Sequence, residues 1–411
     1  MQSRKGTTVC LITTGDIHNV MGGMERFVRS LSRWLQNHSY GVVVVYRSLS
    51  GKVETTVNPS LTMKNLEEPS AHAYGKRVPY IFYMIFLLFV NTIKIFKIIS
   101  LNRKFNFQVL HAVDLAYDGF AAVIASWITK VPVITHCHGI RYYALQKKLS
   151  GRKLAKICAL FGHLLEIFAV RHSKIIVTIN EESRSFFVSL GFSPEKIRVL
   201  PIGVDPSVFK EPDSVRDSTR KKLGIGRSKV LICFIGRLDV EKNVGGLIRA
   251  YIDLLTRGRI VNSHLLIVGS GSLRNELEEN IEGSFKHKVI FTGARIDVSR
   301  FLSASDIFVL PSFFEGCPTA LIEAMAAGKA IVASDLPSIR EIIRDEYNGL
   351  LVKPGNKEAL SRTLERLYED GVLRAMLAKN AEEQAESYDV ETLYPQILEI
   401  YKEATKPLVA N

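Results

Sequence analysis

DIFVLPSFFEGCPTALIEAMAAG, residues 306–328, is the stretch of sequence that decides the fold. The apolar run 307–310 predicts a buried strand. Pro318 predicts the first turn of a helix, where the missing N–H of proline loses no hydrogen bond. Glu315 lies in the turn and Glu323 in the helix, and an open helix N-terminus beside a strand end is suited to phosphate. Two carboxylates flanking such a subsite predict a ligand that joins hydroxyl-rich groups through phosphates, as a sugar nucleotide does.

This stretch resembles the Glu-x7-Glu signature of retaining glycosyltransferases of family 4, which have the two-domain GT-B fold. The spacing of the two glutamates alone leaves a second interpretation open, a helix start with two solvated side chains. The neighbouring residues favour the family. They are Phe313, Phe314, Gly316, Pro318 and the small-residue run 324–328.

The resemblance implies roles for residues within the stretch. Glu315 is expected to orient the donor sugar in a catalytic role, and Glu323 to meet the ribose hydroxyls. Gly316, Pro318 and Thr319 are expected to bind the substrate. The residues themselves do not show stereochemistry. The resemblance alone implies that the sugar is transferred with retention, by a same-face displacement.

Length and composition indicate a globular protein of two domains. At 411 residues the chain is too long for one ordinary core, and 47% hydrophobic and 23% charged residues exclude a disordered chain. The five cysteines are scattered, without a Cys-x-x-Cys pair, so we interpret them as reduced core residues of a cytosolic protein. The apolar run that begins at Val9 is too short for a signal peptide.

The net charge of +13 calls for an anionic partner. Nucleic acid and an anionic membrane surface are both candidates, and a diphosphate substrate accounts for part of the charge. The longest apolar run, residues 78–90, is shorter than the roughly 20 residues that cross a bilayer, so it predicts a buried or interfacial helix. The basic residues lack the aromatic stacking pattern of known nucleic-acid modules, so we expect no nucleic-acid partner.

Strand and helix patterns alternate along nearly the whole chain, which predicts parallel sheets covered by helices. Strands are predicted at 8–14, 41–46, 107–111, 131–135, 175–179, 230–235, 265–269, 289–293, 307–310 and 330–333. Helices are predicted at 22–37, 117–129, 142–171 and 391–404, with a further long helix that includes the apolar run.

The expected fold is α/β of the GT-B type, with two Rossmann-like domains whose parallel sheets face each other across an interdomain cleft. We place an acceptor-binding domain at residues 1–202 and a donor-binding domain at 203–389. The last helix, 390–411, resembles the family's C-terminal helix that packs back on the first domain. Residues 200–220 are interpreted as the linker, and residues 50–75 receive no assignment.

Arg237 and Lys242 follow the first predicted strand of the second domain. Two cations on a strand-to-helix turn suit a diphosphate, because arginine grips oxygens bidentately and lysine adds a mobile point charge. In family 4 the equivalent pair stabilises the leaving nucleoside diphosphate, and the resemblance gives Arg237 and Lys242 this catalytic role. A solvated basic loop is the alternative for the local sequence alone.

Glycine turns mark further segments. Gly22 and Gly23, at a helix start, resemble the family's GG-x-E loop, which faces the donor phosphates and sugar, although the pair alone favours a simple tight turn. The segments at Gly269 and at Arg295 border the nucleotide base in the family. We expect Arg295 to contact the base, and a well-capped helix is the alternative for the segment at Gly269. No full GxGxxG motif accompanies Gly22, which argues against a dinucleotide-binding dehydrogenase.

His136 and His138 end a strand and point to the same face. A metal site and a structural histidine are two alternatives, although no carboxylate or cysteine partner for a metal is evident nearby. The resemblance gives His138 a catalytic role near the donor sugar, whereas His136 has no counterpart. No Asp-x-Asp motif occurs, which agrees with transfer in which arginine, lysine and helix amides, instead of a metal, stabilise the leaving group. We therefore expect no metal and no cofactor.

The acceptor is expected to bind the first domain. Residues 80–99 supply an apolar segment, and a basic segment follows it. Its members are Arg141, Tyr142, Tyr143, Lys147, Lys148, Arg152, Lys153 and Lys156. Amphipathic basic segments lie on anionic membranes, where a lipid-linked acceptor is met. A core helix with a solvated basic neighbour is the competing interpretation.

The sequence therefore predicts a glycosyltransferase that moves a sugar from a nucleoside-diphosphate sugar to a lipid-linked or membrane-associated glycan, as in cell-surface polysaccharide or glycolipid synthesis. We expect it in the cytoplasm, peripheral on the inner face of the membrane. The same chemistry on a small soluble acceptor is the main alternative, and a non-catalytic GT-B scaffold is another. The sugar, the base, the acceptor and the oligomeric state stay open.

Overall fold

The computed structural model describes residues 7–13, 23–48, 52–57, 80–139, 153–316 and 318–406, without the side chains of 80–87 and 153–159. The chain divides into two units. The first unit holds the described residues up to Gly203 and from Leu393 onward, and the second holds Val204–Thr392. Each unit is built around its own sheet.

The strands of the first unit form a largely parallel sheet. In the described part of the chain they are β1 Thr8–Ile12, β2 Gly41–Arg47, β3 Val53–Val57, β4 Val109–Ala112, β5 Val133–Cys137, β6 Ile175–Thr178 and β7 Ile197–Val199. Their order across the sheet is β3-β2-β1-β4-β5-β6-β7. Only the pairing of β2 with β3 is antiparallel among these described strands.

The parallel strands are continuous apolar runs because both of their faces are buried. β1 pairs with β2 on one side and with β4 on the other, and Ile12 lies opposite both Val45 and Ala112. This register brings the carboxyl ends of β1, β4 and β5 to one edge of the sheet. Ligands of open α/β sheets bind at this edge, where the strand order reverses direction.

The helices described in the first unit are α1 Gly23–Asn37, α2 Tyr80–Phe105, α3 Tyr117–Thr129, α4 Lys153–His172 and α5 Glu181–Ser189. A buried ion pair joins α2 to α3, since Lys94 Nζ lies 2.5 Å from Asp118 Oδ1 and 3.2 Å from the Thr13 carbonyl oxygen. None of the helices in the described ranges has the length and apolar content to cross a bilayer.

The second unit contains an all-parallel sheet. Its described strands are β8 Val230–Ile235, β9 Ser263–Val268, β10 Val289–Gly293, β11 Ile307–Leu310, β12 Ala330–Ser334 and β13 Leu350–Val352. Their order is β10-β9-β8-β11-β12-β13, so the direction of winding reverses between β8 and β11. The loops after these two strands therefore lie at the expected ligand-binding edge.

The described helices that cover this sheet are α6 Asp213–Lys222, α7 Val244–Thr256, α8 Arg274–Glu279, α9 Val298–Ala304, α10 Thr319–Ala326, α11 Pro337–Arg340, α12 Lys357–Glu369 and α13 Gly371–Ala385. The last helix, α14 Val390–Thr405, enters the first unit from Leu393 onward. Tyr394 and Tyr401 are buried there.

The boundary between the two units lies between Gly203 and Val204, inside the predicted linker at 200–220, but the interpretation of residues 213–220 as linker is wrong. Residues 213–222 form α6, which packs on α9 in the second unit. The segment looks solvated because it is strongly charged, but Arg216 and Arg220 reach Asp306 Oδ1 and Oδ2 at 2.5 and 2.7 Å. Arg220 is only 1% exposed. A distant carboxylate therefore allows this polar helix to pack.

Part of the unassigned segment 50–75 is the strand β3. Its sequence, VETTV, pairs antiparallel at the edge of the sheet, with Val57 opposite Val43. Polar and β-branched residues suit an edge strand that meets solvent on one side. Residues 58–75 lie outside the described part of the chain.

Candidate functional site

The loops at the carboxyl edge of the second sheet are joined by backbone hydrogen bonds. The Leu238 N–H donates to the Ser270 carbonyl oxygen at 2.9 Å, and the Gly269 N–H donates to the Gly293 carbonyl oxygen at 2.8 Å. The loops that follow β8, β9 and β10 therefore form one continuous edge. Arg237, Gly269 and Arg295, which the sequence placed in three separate segments, all belong to it.

Two glycines in this edge are required by close backbone contacts. Gly269 has a φ of 145°, and a Cβ atom there would lie 1.8 Å from the carbonyl oxygen of Gly236. A Cβ atom on Gly271 would lie 2.4 Å from the carbonyl oxygen of Leu238. Any side chain at either position would separate the loops, so these glycines hold the edge together.

The structure brings Lys242 and Glu315 into direct contact. The Lys242 ammonium donates to both carboxylate oxygens of Glu315, at 2.7 and 2.8 Å. The Glu315 side chain is 3% exposed and that of Lys242 17% exposed. Ser312 also donates its hydroxyl to Glu315 Oε1 at 2.6 Å. Two residues that the sequence predicted separately thus form one charged centre beside the start of α10.

The backbone around this centre is fixed as well. The Phe313 N–H donates to the Glu241 carbonyl oxygen at 2.8 Å, and the Asn243 side-chain amide donates to the Pro311 carbonyl oxygen at 3.1 Å. The Ser338 hydroxyl donates to the Glu315 carbonyl oxygen at 2.8 Å. The loop after β8 and the loop after β11 are therefore locked to each other on either side of the Lys242–Glu315 pair.

Sequence reasoning did not single out Ser312, Ser338 or Asn243. Ser312 and Asn243 both lie inside motifs that were recognised, so their positions beside Glu315 and Lys242 were visible. Ser338 lies 23 residues beyond Glu315 and is brought to it by the fold, so no local pattern could have indicated it.

Arg237 lies on the same loop but is exposed. Its guanidinium is 67% exposed and lies 3.1 Å from Asp239 Oδ2 and 3.6 Å from Glu241 Oε2. Such exposed ion pairs contribute little free energy. The guanidinium can therefore exchange its carboxylate partners for a bound anion at little cost. Arg237 and Lys242 therefore differ, since the first meets solvent and the second is held by Glu315.

Helix α10 begins at Thr319, one residue after Pro318. Gly316 and Thr319 are half-buried, and Glu323 is buried on the helix with 4% exposure. The first N–H groups of this helix follow directly on the loop that carries Glu315, and a helix N-terminus is suited to an anion. Cys317 lies outside the described residues.

Arg295 is engaged in a bidentate ion pair. Its Nε and a terminal nitrogen each lie 2.9 Å from a carboxylate oxygen of Asp297, and the guanidinium lies 5.3 Å from the centre of the Phe301 ring. The side chain is 42% exposed. Arg295 therefore presents a fixed flat surface at the edge, which is compatible with the predicted contact to a base.

His138, predicted to be catalytic, belongs to the first unit, at the carboxyl end of β5. Its ring stacks on His136 with centroids 4.4 Å apart, and Phe27 meets it edge-on at 4.8 Å. Burial lowers the pKa of His138 to about 4, against an opposing effect of Asp114. His138 is therefore a neutral imidazole at physiological pH.

Other predicted residues of the first unit are only partly described. Gly23 begins α1, whereas Gly22 lies outside the described residues. Arg141, Tyr142, Tyr143, Lys147, Lys148 and Arg152 also lie outside them, and the side chains of Lys153 and Lys156 are not described. Within the ranges that are described, no group of three or more histidine, cysteine, aspartate or glutamate side chains is arranged to hold a metal ion.

The chain has two Rossmann-like units, each built on a sheet of largely parallel strands, as expected of a GT-B glycosyltransferase. The family described as Glycosyltransferase Family 4 matches residues 21–208, and the one described as Glycosyl transferases group 1 matches residues 215–384. The chain belongs to glycosyltransferase family 4, and the predicted family and fold class are confirmed.

Relatives with named activities are similar over part of their length. The UDP-Gal:alpha-D-GlcNAc-diphosphoundecaprenol alpha-1,3-galactosyltransferase of Escherichia coli is 29% identical over 67% of this chain and 70% of its own. The N,N'-diacetylbacillosaminyl-diphospho-undecaprenol alpha-1,3-N-acetylgalactosaminyltransferase of Campylobacter jejuni is 33% identical over 56% of this chain and 60% of its own. The chain thus spans about two thirds of these relatives.

Solved structures share the fold over nearly the whole chain. The structure of Anabaena Alr3699/HepE in complex with UDP-glucose has a TM-score of 0.72 at 19% identity, and covers 96% of this chain and 99% of its own. At this identity the similarity establishes the GT-B fold and no more.

Proposed function

We propose that this protein transfers a sugar from a nucleoside-diphosphate sugar to a lipid-linked glycan, with retention and without a metal. The contact of Lys242 with both oxygens of Glu315 is the observation that carries this proposal. It places a cation suited to phosphate and a carboxylate suited to sugar hydroxyls at one point on the ligand-binding edge of the second unit.

The donor diphosphate would be bound by Arg237, Lys242 and the amides that begin α10. The exposed guanidinium of Arg237 can take phosphate oxygens bidentately, and the helix N-terminus favours negative charge. Glu323, buried on the second turn of α10, would meet the ribose hydroxyls, and Arg295 would border the base. Gly316, Pro318 and Thr319 would line this part of the site, and Gly22 and Gly23 would face the phosphates.

The exchange of partners at Lys242 gives the site its chemistry. When the diphosphate binds, the Lys242 ammonium can turn from Glu315 to the phosphate oxygens, and Glu315 then becomes free to accept hydrogen bonds from the sugar. As the bond from the anomeric carbon to the phosphate oxygen breaks, negative charge grows on the diphosphate. Arg237, Lys242 and the helix amides stabilise this charge, so no metal is needed for that step.

His138 would act near the sugar as a neutral hydrogen-bonding group. An imidazole that is not charged can donate from one nitrogen and accept at the other. Retention is proposed from the family resemblance, as a displacement in which the acceptor hydroxyl enters on the face that the diphosphate leaves and passes its proton to the departing phosphate oxygen.

The surface of α2, α3 and α4 supports an acceptor held at an anionic membrane. Exposed apolar side chains lie one or two turns apart on α2 and α4 and near the end of α3; they are Phe89, Ile93, Phe96, Trp127, Ile128, Leu160 and Leu164. α3 packs against both α2 and α4, so these side chains belong to one packed group of helices. Amphipathic surfaces of this kind lie at membrane interfaces.

The charge of the same three helices also favours an anionic surface. The acidic residues in the sequences of α2, α3 and α4 are Asp118 and Glu166, and both are buried. Exposed cations lie at the helix ends, at Arg103, Lys104, Lys130 and Arg171. The names of the two relatives above include diphosphoundecaprenol or diphospho-undecaprenol, which supports a polyprenyl-linked acceptor and peripheral association with the inner face of the membrane.

Donor consumption in the presence of EDTA tests the proposal. Purified protein is incubated with UDP-, GDP- and ADP-sugars and with membranes that carry lipid-linked glycans, and the product is analysed by NMR for its anomeric configuration. We expect one donor to be used, with retention, and Glu315→Gln to abolish transfer. Transfer that requires a divalent cation, or that inverts the configuration, would contradict the proposed mechanism.

A further inference from the structure

A row of buried aromatic and imidazole side chains runs through the first unit from its C-terminal helix to His138. Tyr401 of α14 contacts His111 of β4, His111 contacts His136 of β5, and His136 stacks on His138. His111 and His136 are fully buried, and Tyr401 is 2% exposed. The proposed mechanism uses only His138 of these four residues.

Two hydrogen bonds connect the row. The Tyr401 hydroxyl oxygen lies 2.8 Å from His111 Nδ1, and His111 Nε2 lies 3.3 Å from His136 Nδ1. Phe27 of α1 closes the row from one side, with its ring edge-on to His136 at 4.7 Å and to His138 at 4.8 Å. His111 and His136 are therefore held in place by hydrogen bonds and ring packing, and His138 by ring packing.

The chemistry of a buried phenol sets the direction of these hydrogen bonds. Within the described residues, His111 is the hydrogen-bond partner of the Tyr401 hydroxyl. A phenol is a stronger hydrogen-bond donor and a weaker acceptor than a neutral imidazole, so the O–H···N direction is favoured. Tyr401 therefore donates to Nδ1 of His111.

The tautomers of both histidines follow from this direction. A neutral His111 that accepts at Nδ1 carries its proton on Nε2 and donates it to Nδ1 of His136. A neutral His136 that accepts at Nδ1 in turn carries its proton on Nε2. One hydroxyl on the C-terminal helix thus determines the proton positions of two imidazoles.

Burial keeps the whole row uncharged. It lowers the pKa of His111 to about 3 and that of His136 well below its usual value; His138 lowers both pKa values further, and His111 also lowers that of His136. The groups facing the row include Asp114 after β4, which favours the charged form of His138, and Tyr401 on α14. Two adjacent imidazolium ions in this apolar setting would repel each other.

We propose that Tyr401, His111 and His136 are positioning residues for His138. Tyr401 fixes the tautomers of His111 and His136, and the stacked ring of His136 holds the orientation in which His138 meets the donor sugar. This inference rests on the proposed function for the role of His138, whereas the tautomers of His111 and His136 follow from the fold alone.

Imidazole nitrogen NMR of protein labelled with ¹⁵N-histidine, without substrate, tests the tautomers. Spectra of His111→Gln and His136→Gln variants assign the two signals. We expect both residues to be single Nε2–H tautomers from pH 6 to pH 8 in the wild type, and mixed tautomers in Tyr401→Phe, which keeps the ring and removes the hydroxyl. A Nδ1–H or charged signal for His111 in the wild type would overturn the inference.

Transfer kinetics test the positioning. We expect Tyr401→Phe to lower kcat about fivefold to tenfold with the donor KM within twofold of the wild type. Tyr251→Phe is the matched control, because it removes a buried tyrosine hydroxyl that contacts Ser263 in the second unit. Mixed tautomers with an unchanged kcat would overturn the positioning role. The NMR result decides the tautomers even if the wild type proves inactive, an outcome that would count against the proposed function instead.

Discussion

Lys242 holds both carboxylate oxygens of Glu315, at 2.7 and 2.8 Å, across 73 residues of sequence. The two side chains neutralise each other's charge at the point where the loops after β8 and β11 meet. We propose that a donor whose diphosphate binds at this edge draws Lys242 away from Glu315. Donor binding and the release of the glutamate are then one event.

Two substitutions in this pair should differ in their effect on stability but agree in their effect on activity. Lys242→Met leaves the buried Glu315 charge uncompensated, so we expect it to lower the free energy of unfolding by about 2 kcal/mol. Glu315→Gln keeps an oxygen for the Ser312 hydroxyl and should destabilise less. Both variants should lose at least roughly 100-fold in kcat. Calorimetry and donor turnover measure the two effects, and exposed Lys286→Met is the control for the lost lysine.

Arg237→Ala should weaken donor binding without affecting the fold. Its guanidinium is 67% exposed in surface ion pairs, and such pairs contribute less than about 1 kcal/mol. Arg257→Ala is a matched control, because Arg257 is also 67% exposed and pairs with Asp253. We expect nucleotide affinity to fall at least tenfold in Arg237→Ala only. If titration calorimetry gave the wild type and Arg237→Ala the same nucleotide affinity, Arg237 would not belong to the donor site.

Asp306→Asn should destabilise the second unit. Asp306 accepts from Arg216, from Arg220 and from the Leu231 N–H at 2.5, 2.7 and 2.7 Å. Removing its charge leaves the buried Arg220 unpaired, for which we expect a loss of about 3 kcal/mol in the free energy of unfolding. Calorimetric unfolding measures the loss.

The same substitution should leave catalysis intact in the folded protein. Asp306 precedes β11 and so lies at the opposite end of this strand from Glu315. The donor KM should stay within twofold of the wild type at temperatures where the variant is folded. Asp217→Asn, in an exposed pair with Arg227, controls for the loss of a surface carboxylate. A stability equal to that of this control would refute the structural role of Asp306.

The buried histidines should make the first unit sensitive to acid. Their pKa values are about 3 for His111 and about 4 for His138 in the folded protein, below the value of about 6.5 in the unfolded chain. The contribution of these neutral histidines to stability is complete above pH 6.5. It is lost as the pH falls toward their pKa values in the folded protein. Each such histidine lowers the free energy of unfolding by about 1.4 kcal/mol per pH unit in this window.

Tryptophan fluorescence isolates this effect, because both tryptophans, Trp34 and Trp127, belong to the first unit. Urea unfolding between pH 7.5 and pH 5 should give a shallower pH slope for His136→Gln than for the wild type. The exposed His172→Gln is the control. Identical slopes for the wild type and His136→Gln would mean that His136 is not held neutral.

The membrane surface gives a further prediction. Phe96→Asp places a charge at a side chain that is 69% exposed on α2, and it should reduce flotation with vesicles containing anionic lipid at least fivefold. Val372→Asp, at a side chain 83% exposed in the second unit, is the control. Equal flotation of the two variants would favour the soluble-acceptor alternative.

Most strands of both sheets could be predicted from the sequence because buried parallel strands are continuous apolar runs. The three-residue strands β7 and β13 were not predicted. The runs at residues 230–235 and 289–293 agree with β8 and β10, and the helix predicted at 117–129 agrees with α3. The edge strand β3 could not be predicted, because its polar sequence carries no such signal. The helix α6 could not be predicted either, because the carboxylate that neutralises its arginines lies about 90 residues away.

The sequence indicates candidate site residues, but it does not indicate their contacts. The motifs indicated Lys242 and Glu315 as separate members of a donor site, and only the fold shows that they pair. The same holds for Ser338, whose hydroxyl fixes the Glu315 backbone, and for His111, which no motif linked to His138. Long-range hydrogen bonds leave no periodic pattern in a sequence, so the structure alone reveals them.

The most direct test of the central claim is a thermal-shift panel of UDP, GDP, ADP and their sugar conjugates in EDTA. A nucleotide at 100 times its Kd should stabilise the protein by about 2.7 kcal/mol. We predict that one nucleotide series does so in the wild type and that Lys242→Met loses the shift. If no nucleotide raised the Tm, or if the Lys242→Met variant responded like the wild type, the assignment of this edge as the donor site would be contradicted.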